Sequence, residues 1–178
     1  MLRFHPRIYV GSENAMERRL ILMRHAQSAA AGAASSDHER PLTKRGHAEA
    51  SEIADRLVSL GWTPQVVMGS DATRTRESWE VMESSFQPTP EVIWKEWLYL
   101  TGVAAIERAL GSLDDEITDV LLLGHNPGWQ NAISYFAGCQ ERMTTANAAL
   151  LHGQGDSWEE TAVNGGFELV QILRPRSI

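Results

Sequence analysis

A single cysteine in 178 residues, Cys139, cannot form a disulfide within the chain and supplies no thiolate cluster for zinc. That scarcity fits a reducing cytosol, and a cytoplasmic protein is the expectation. Long apolar runs are scarce as well. No stretch approaches the roughly 20 residues that span a bilayer, and residues 1–15 have no extended apolar core of the kind a secretion signal needs. No membrane partner is expected. Basic residues are outnumbered, 16 against 23 acidic ones, for a net charge of −7. Nucleic acid, which binds through basic surface, is therefore disfavoured as a partner. The chain also lacks the paired histidine and carboxylate motif of metal-dependent hydrolases, so neither a metal nor another cofactor is expected.

What is present has the rhythm of an α/β domain. The length suits one domain over residues 16–178, with residues 1–15 as an arm or tail. Leu20 to Met23 form a short, wholly apolar run, as in a central strand covered on both faces. A loop over Ala29 to Arg40 leads to a helix from Thr43, its N-cap, to about Leu60. Ala50, Ile53, Ala54 and Leu57 make its apolar face, and Gly61 stands where a left-handed residue is wanted. Strands are expected at Val66 to Met68, Glu91 to Trp94 and Val120 to Leu123. A helix capped by Ser70 or Asp71 should carry Arg74 one turn inside. Further helices are expected from Val103 to Leu110 and from Pro127 to about Phe136. Ala146 to Leu151 and Phe167 to Leu173 read as final strands around a loop containing Trp158. With no helix between them, the sheet must be partly antiparallel.

The two most apolar strands both end on histidine, in Arg24-His25 and in Gly124-His125-Asn126. Ligands of open α/β sheets bind at the carboxyl edge of the strands. Should the two strands be neighbours, Arg24, His25, Arg74 and His125 can converge there. Guanidinium forks match phosphate oxygens and stay charged at every working pH, so such a pocket suits a phosphoryl group. Helix starts near Ser70 and Asn126 could add backbone N–H groups.

Five segments then resemble the histidine phosphatase (phosphoglycerate mutase-like) superfamily, and most closely its short branch of SixA-type phosphohistidine phosphatases. They are M-R-H-A-Q-S at Met23 to Ser28, D-H-E-R-P-L-T-K-R-G at Asp37 to Gly46 and S-D-A-T-R-T-R-E-S at Ser70 to Ser78. W-L-Y-L at Trp97 to Leu100 and G-H-N-P-G at Gly124 to Gly128 complete the set. The resemblance implies a three-layer α/β/α sandwich with a mostly parallel central sheet. It makes His25 the nucleophile that accepts the phosphoryl group, with Arg24, Arg74 and His125 on its oxygens and Ser28 and Asn126 beside them. A neutral imidazole is a competent nucleophile near pH 7, and clustered cations stabilise the transferring group.

Two positions depart from the superfamily pattern, Ala26 where many members have glycine and Ser78 where threonine is common. The long insertion that supplies a proton donor in mutase-like members has no counterpart, which leaves Glu96 and Asp37 as candidates. Asp37 could equally anchor its loop by pairing with Arg40. His5, His38, His47 and His152 read as surface residues. The implied activity is a metal-independent phosphatase acting on a phosphorylated protein or a phosphorylated small molecule. The alternative is a catalytically idle phosphate-binding or interaction module on the same fold.

Overall fold

The computed structural model describes residues 15–176, so nearly all of the expected arm or tail lies outside the described residues. Six strands form one sheet: β1 (Met16–Arg24), β2 (Val66–Gly69), β3 (Glu91–Trp94), β4 (Asp119–Gly124), β5 (Ala148–Gly155) and β6 (Phe167–Leu173). Their order is β3-β2-β4-β1-β5-β6. Pairing is parallel from β3 through β1 and antiparallel at β1–β5 and β5–β6, so β5 alone runs against the rest. The helices are α1 (Lys44–Ser59), α2 (Thr73–Met82), α3 (Val103–Leu110), α4 (Gly128–Ala137) and the one-turn α5 (Trp158–Thr161). That last turn stands in the segment read from sequence as a plain loop.

Alternation along the buried strands builds two cores. Leu20, Leu22, Val120 and Leu122 face α3, α4 and α5, where they meet Ile106, Trp129, Ile133 and Trp158. Ile21, Met23, Leu121 and Leu123 face α1 and α2, meeting Ile53, Leu57, Trp79 and Met82. A fully buried leucine or isoleucine contributes about 1.5–3 kcal/mol, so these doubly covered strands are the rigid centre of the protein. The α1 boundary is set locally: the Thr43 hydroxyl accepts from Gly46 N–H, and Gly61 takes φ +72° just past the end.

Connectivity places the site. From β1 the chain leaves through α1 toward β2 on one face, whereas from β4 it leaves through α4 toward β5 on the other. Adjacent strands whose exits diverge open a crevice at their carboxyl ends. Here those strands are β1 and β4, which pair as Arg24 with Gly124.

Candidate active site

His25 and His125 follow the ends of these neighbouring strands, and their ring centroids lie 5.2 Å apart. The backbone of the Arg24-His25 pair is held from both sides. His25 N–H donates to the Gly124 carbonyl at 3.0 Å, Arg24 N–H donates to the Asn147 carbonyl at 3.0 Å, and Ala146 N–H donates to the His25 carbonyl at 3.0 Å.

Helix α2 brings the third cation. Its buried positions are Arg74, Thr75 and Ser78, followed by Trp79 and Met82 toward its end. The inward stripe is thus polar over the site and apolar over the core. The helix begins at Thr73, so Arg74 lies within its first turn, and neither expected cap forms: Ala72 is the N-cap, with no side-chain bond. The Ser70 hydroxyl accepts from Ala72 N–H at 3.2 Å, and Asp71 instead pairs with His38 at 2.8 Å. Ser78 keeps the hydroxyl that threonine would bring at this position. Its hydroxyl donates to the Arg74 carbonyl at 2.6 Å and accepts from Ala26 N–H at 2.9 Å, which ties α2 to the end of β1.

The state of His25 follows from its contacts. Nδ1 lies 2.7 Å from the Ala26 carbonyl, which can only accept, so Nδ1 carries the proton and Nε2 presents its lone pair. Arg74 Nε–H points at that nitrogen from 3.3 Å. Burial, reinforced by Arg74, Arg24 and Arg40, lowers the His25 pKa to about 3 against the Ala26 hydrogen bond. The ring is neutral at working pH. His125 is also lowered to about 3, by burial first and then by His25, Arg74 and Arg24, with Asp37 opposing. Its Nε2 lies 3.5 Å from the Thr75 hydroxyl. Arg24 is pressed below its ordinary value by burial and by Arg74.

Three buried polar atoms around this cluster have no hydrogen-bond partner: Arg24 Nε, His125 Nδ1 and Asn126 Oδ1. Two of these belong to side chains that can donate to an oxyanion. Unpaired buried polar atoms cost about 1–3 kcal/mol each, and their concentration at one sheet edge marks a place built for a polar ligand.

Not every expected residue joins the cluster. Glu96 is exposed in a 3₁₀ turn (Glu96–Leu98), and its carboxylate makes no hydrogen bond or ion pair with His25, Arg24, Arg74 or His125. Ser28 sits in a one-residue bridge with Leu42, and no hydrogen bond links its hydroxyl to those four. Asn126 Nδ2 donates to the Met143 carbonyl at 2.7 Å, an oxygen it shares with Arg24 Nη1 at 3.1 Å. Asp37 is tied into the site by three side chains. Its carboxylate meets the Tyr99 hydroxyl at 2.5 Å, Arg74 Nη2 at 3.1 Å and Arg40 Nε at 2.8 Å. The Tyr99 hydrogen bond, with both arginines, holds it below the usual carboxylate range. Arg74 Nη1 donates to the Asp37 carbonyl at 2.6 Å, so much of the fork grips this loop.

Tyr99 and His38 were missed by sequence reasoning. The Tyr99 ring stands edge-on to His125 at 5.2 Å and to His38 at 4.9 Å, and Arg74 lies over its face at 5.6 Å. The only available signal was the position of Tyr99 inside W-L-Y-L. Among the described residues, no three His, Cys, Asp or Glu side chains gather as a metal-holding group, and no helix is long and apolar enough to cross a membrane.

The chain is similar to known proteins in sequence and in fold. The profile of the histidine phosphatase superfamily (branch 1) matches residues 20–99. An uncharacterized chloroplastic protein of Arabidopsis thaliana is 36% identical over 174 residues, covering 91% of this chain and 80% of that protein. A structure from Nakamurella multipartitia, provisionally named phosphohistidine phosphatase SixA, superposes with a TM-score of 0.80 at 25% identity, over 92% of this chain and 99% of that one. The protein histidine phosphatase SixA in complex with tungstate superposes with a TM-score of 0.75 at 21% identity, over 87% and 96%.

Proposed function

The chain belongs to the histidine phosphatase superfamily, and from that premise we propose that it hydrolyses its substrate through a phosphoryl group carried on Nε2 of His25. The observation that carries the reading is the fixed tautomer: Nδ1–H is committed to the Ala26 carbonyl, so Nε2 keeps its lone pair, which accepts from Arg74 Nε–H in the crevice and is released to the substrate when the guanidinium turns to the phosphoryl oxygens. In the first step Nε2 attacks phosphorus, the bond to the leaving group breaks and the leaving group takes up a proton from solvent. Water then attacks the phosphohistidine, the P–N bond breaks, and inorganic phosphate departs with His25 neutral again. Arg24, Arg74 and His125 surround the place where the transferring charge is spread. No step calls for a metal.

The proton needed by the leaving group narrows the substrate. Asp37 is held ionised by two hydrogen-bond donors and the Arg40 ion pair, and Glu96 has no bond to the cluster. An alkoxide leaves poorly without an acid, whereas a phenol (pKa about 10) or an imidazole (about 6.5) needs little help. We therefore favour phosphohistidine on a partner protein, the substrate class carried in the names of the SixA neighbours. The single cysteine supports a cytoplasmic setting as part of this proposal. The test is a series of phosphohistidine, aryl and alkyl phosphates assayed with chelator present. Rates should rise steeply with leaving-group quality, and Glu96→Gln should leave phosphohistidine cleavage unchanged. Alkyl esters cleaved as fast as phosphohistidine, or activity lost to the chelator, would overturn it.

A further inference from the structure

We propose that Tyr99 is a positioning residue for the transfer step, acting through Asp37 to hold the Arg74 guanidinium beside His25. The inference rests on reading the crevice as a phosphoryl-transfer site. Asp37 grips Arg74 twice, with its carbonyl on Nη1 at 2.6 Å and with Oδ2 on Nη2 at 3.1 Å. This leaves Nε facing the nucleophile. Yet the Asp37 side chain is 50% exposed and stands in a loop of small residues, so it cannot be a rigid hold by packing alone. Two side chains supply the rigidity: the Tyr99 hydroxyl donates to Oδ2 at 2.5 Å, and Arg40 pairs with Oδ1 at 2.8 Å. Tyr99 comes from across the crevice, 62 residues away in sequence. The anchored loop is thereby clasped from the side of α3 and α4.

The backbone around Tyr99 is held in place by two independent features. Leu100 takes φ +47°, a left-handed conformation costly for a branched side chain, while that side chain stands 54% exposed and receives little packing in return. On the other side, a Cβ at Gly128 would meet the Thr101 carbonyl oxygen at 1.9 Å. Only glycine lets residues 101 and 102 lie against the start of α4, three residues after His125. The left-handed turn and the close approach both lie within two residues of Tyr99, whose phenol reaches Asp37. Its proton is committed there, so Tyr99 acts by geometry and not as an acid.

Tyr99→Phe keeps the ring against Arg74 and His125 and deletes only the hydroxyl. A double-mutant cycle with Asp37→Asn separates action through Asp37 from a general structural role. In the wild-type background Tyr99→Phe should lower kcat about 5- to 10-fold with KM changed less than about twofold. In the Asp37→Asn background the same change should cost less than about twofold. An equal loss in both backgrounds, or an unchanged kcat, would overturn the proposal. The same four proteins are titrated calorimetrically with inorganic phosphate, a readout that does not need turnover. If the wild type binds phosphate but hydrolyses nothing, the phosphatase reading fails. Phosphate affinity then decides Tyr99 alone: coupling of the two substitutions supports it and additivity overturns it.

Discussion

Arg18 and Arg74 are buried to the same degree, at 0% and 1% exposure, at opposite ends of one sheet. Their surroundings differ in kind. Arg18 gives its N–H groups to four carbonyls, those of Asp115 at 2.6 Å, Ile117 at 2.7 Å, Asp156 at 2.6 Å and Gly155 at 3.3 Å, and lies 5.5 Å over the Trp158 ring. All four hydrogen-bond acceptors are backbone carbonyls. Arg74 shares its nitrogens among a titratable imidazole and both oxygens of a half-exposed aspartate loop, beside three buried polar atoms with no partner. A buried charge whose N–H groups all go to backbone carbonyls joins elements together. One answered by movable, ionisable groups next to unsatisfied donors is placed to meet a ligand.

Arginine to lysine at each position sets the two ends against each other. Arg74→Lys keeps the charge but not the planar fork, and kcat/KM should fall about 10²- to 10³-fold, roughly 3–4 kcal/mol, while the midpoint of thermal unfolding moves by only a few degrees. Arg18→Lys leaves carbonyls without donors, so stability should drop by about 2–4 kcal/mol in denaturant titration. Activity of the folded fraction should stay within about twofold. Matching losses of activity and stability at both positions would erase the distinction.

A smaller effect sharpens it. The two histidines titrate near 3 in the fold and near 6.5 when unfolded. Between those values the unfolded chain binds more protons, so their contribution to stability is complete above about pH 6.5 and is lost as pH falls toward 3. At pH 5 the loss is on the order of 1–2 kcal/mol per histidine. Denaturant titrations at pH 7 and pH 5 should show this slope in wild type and a flatter one in His25→Ala or His125→Ala. An identical slope in these variants would place the acid sensitivity elsewhere. Smallest is Ser78→Ala, which removes the link between Ala26 N–H and the Arg74 carbonyl and should cost about 1–2 kcal/mol of stability. A loss well below that range would mean that the link does not couple α2 to β1.

The division between Arg18 and Arg74 also marks what the sequence could reveal. Strands β1 and β4 were legible because their apolar runs are short and uninterrupted, and α1 because its cap, apolar stripe and terminal glycine agree. Arg24, His25, Arg74 and His125 were legible because they lie at the ends of such elements inside recognisable segments, and the structure brings all four together. Arg18 was not, since its partners are carbonyls distant in sequence that any residue type could supply. The same holds for Tyr99, whose target Asp37 is reached only through the fold. Ser70 and Asp71 looked like caps because they precede a helix. Asp71 instead pairs with His38, a residue 33 positions earlier, and no local pattern announces that choice.

The central claim is that His25 Nε2 carries the phosphoryl group, and rapid quenching with labelled substrate tests it most directly. The account predicts a labelled protein that is stable in alkali and labile in acid, as a P–N bond is, with the label mapped to His25 and none formed by His25→Ala. A label with the acid stability of a serine ester, or one that persists in His25→Ala, would contradict it.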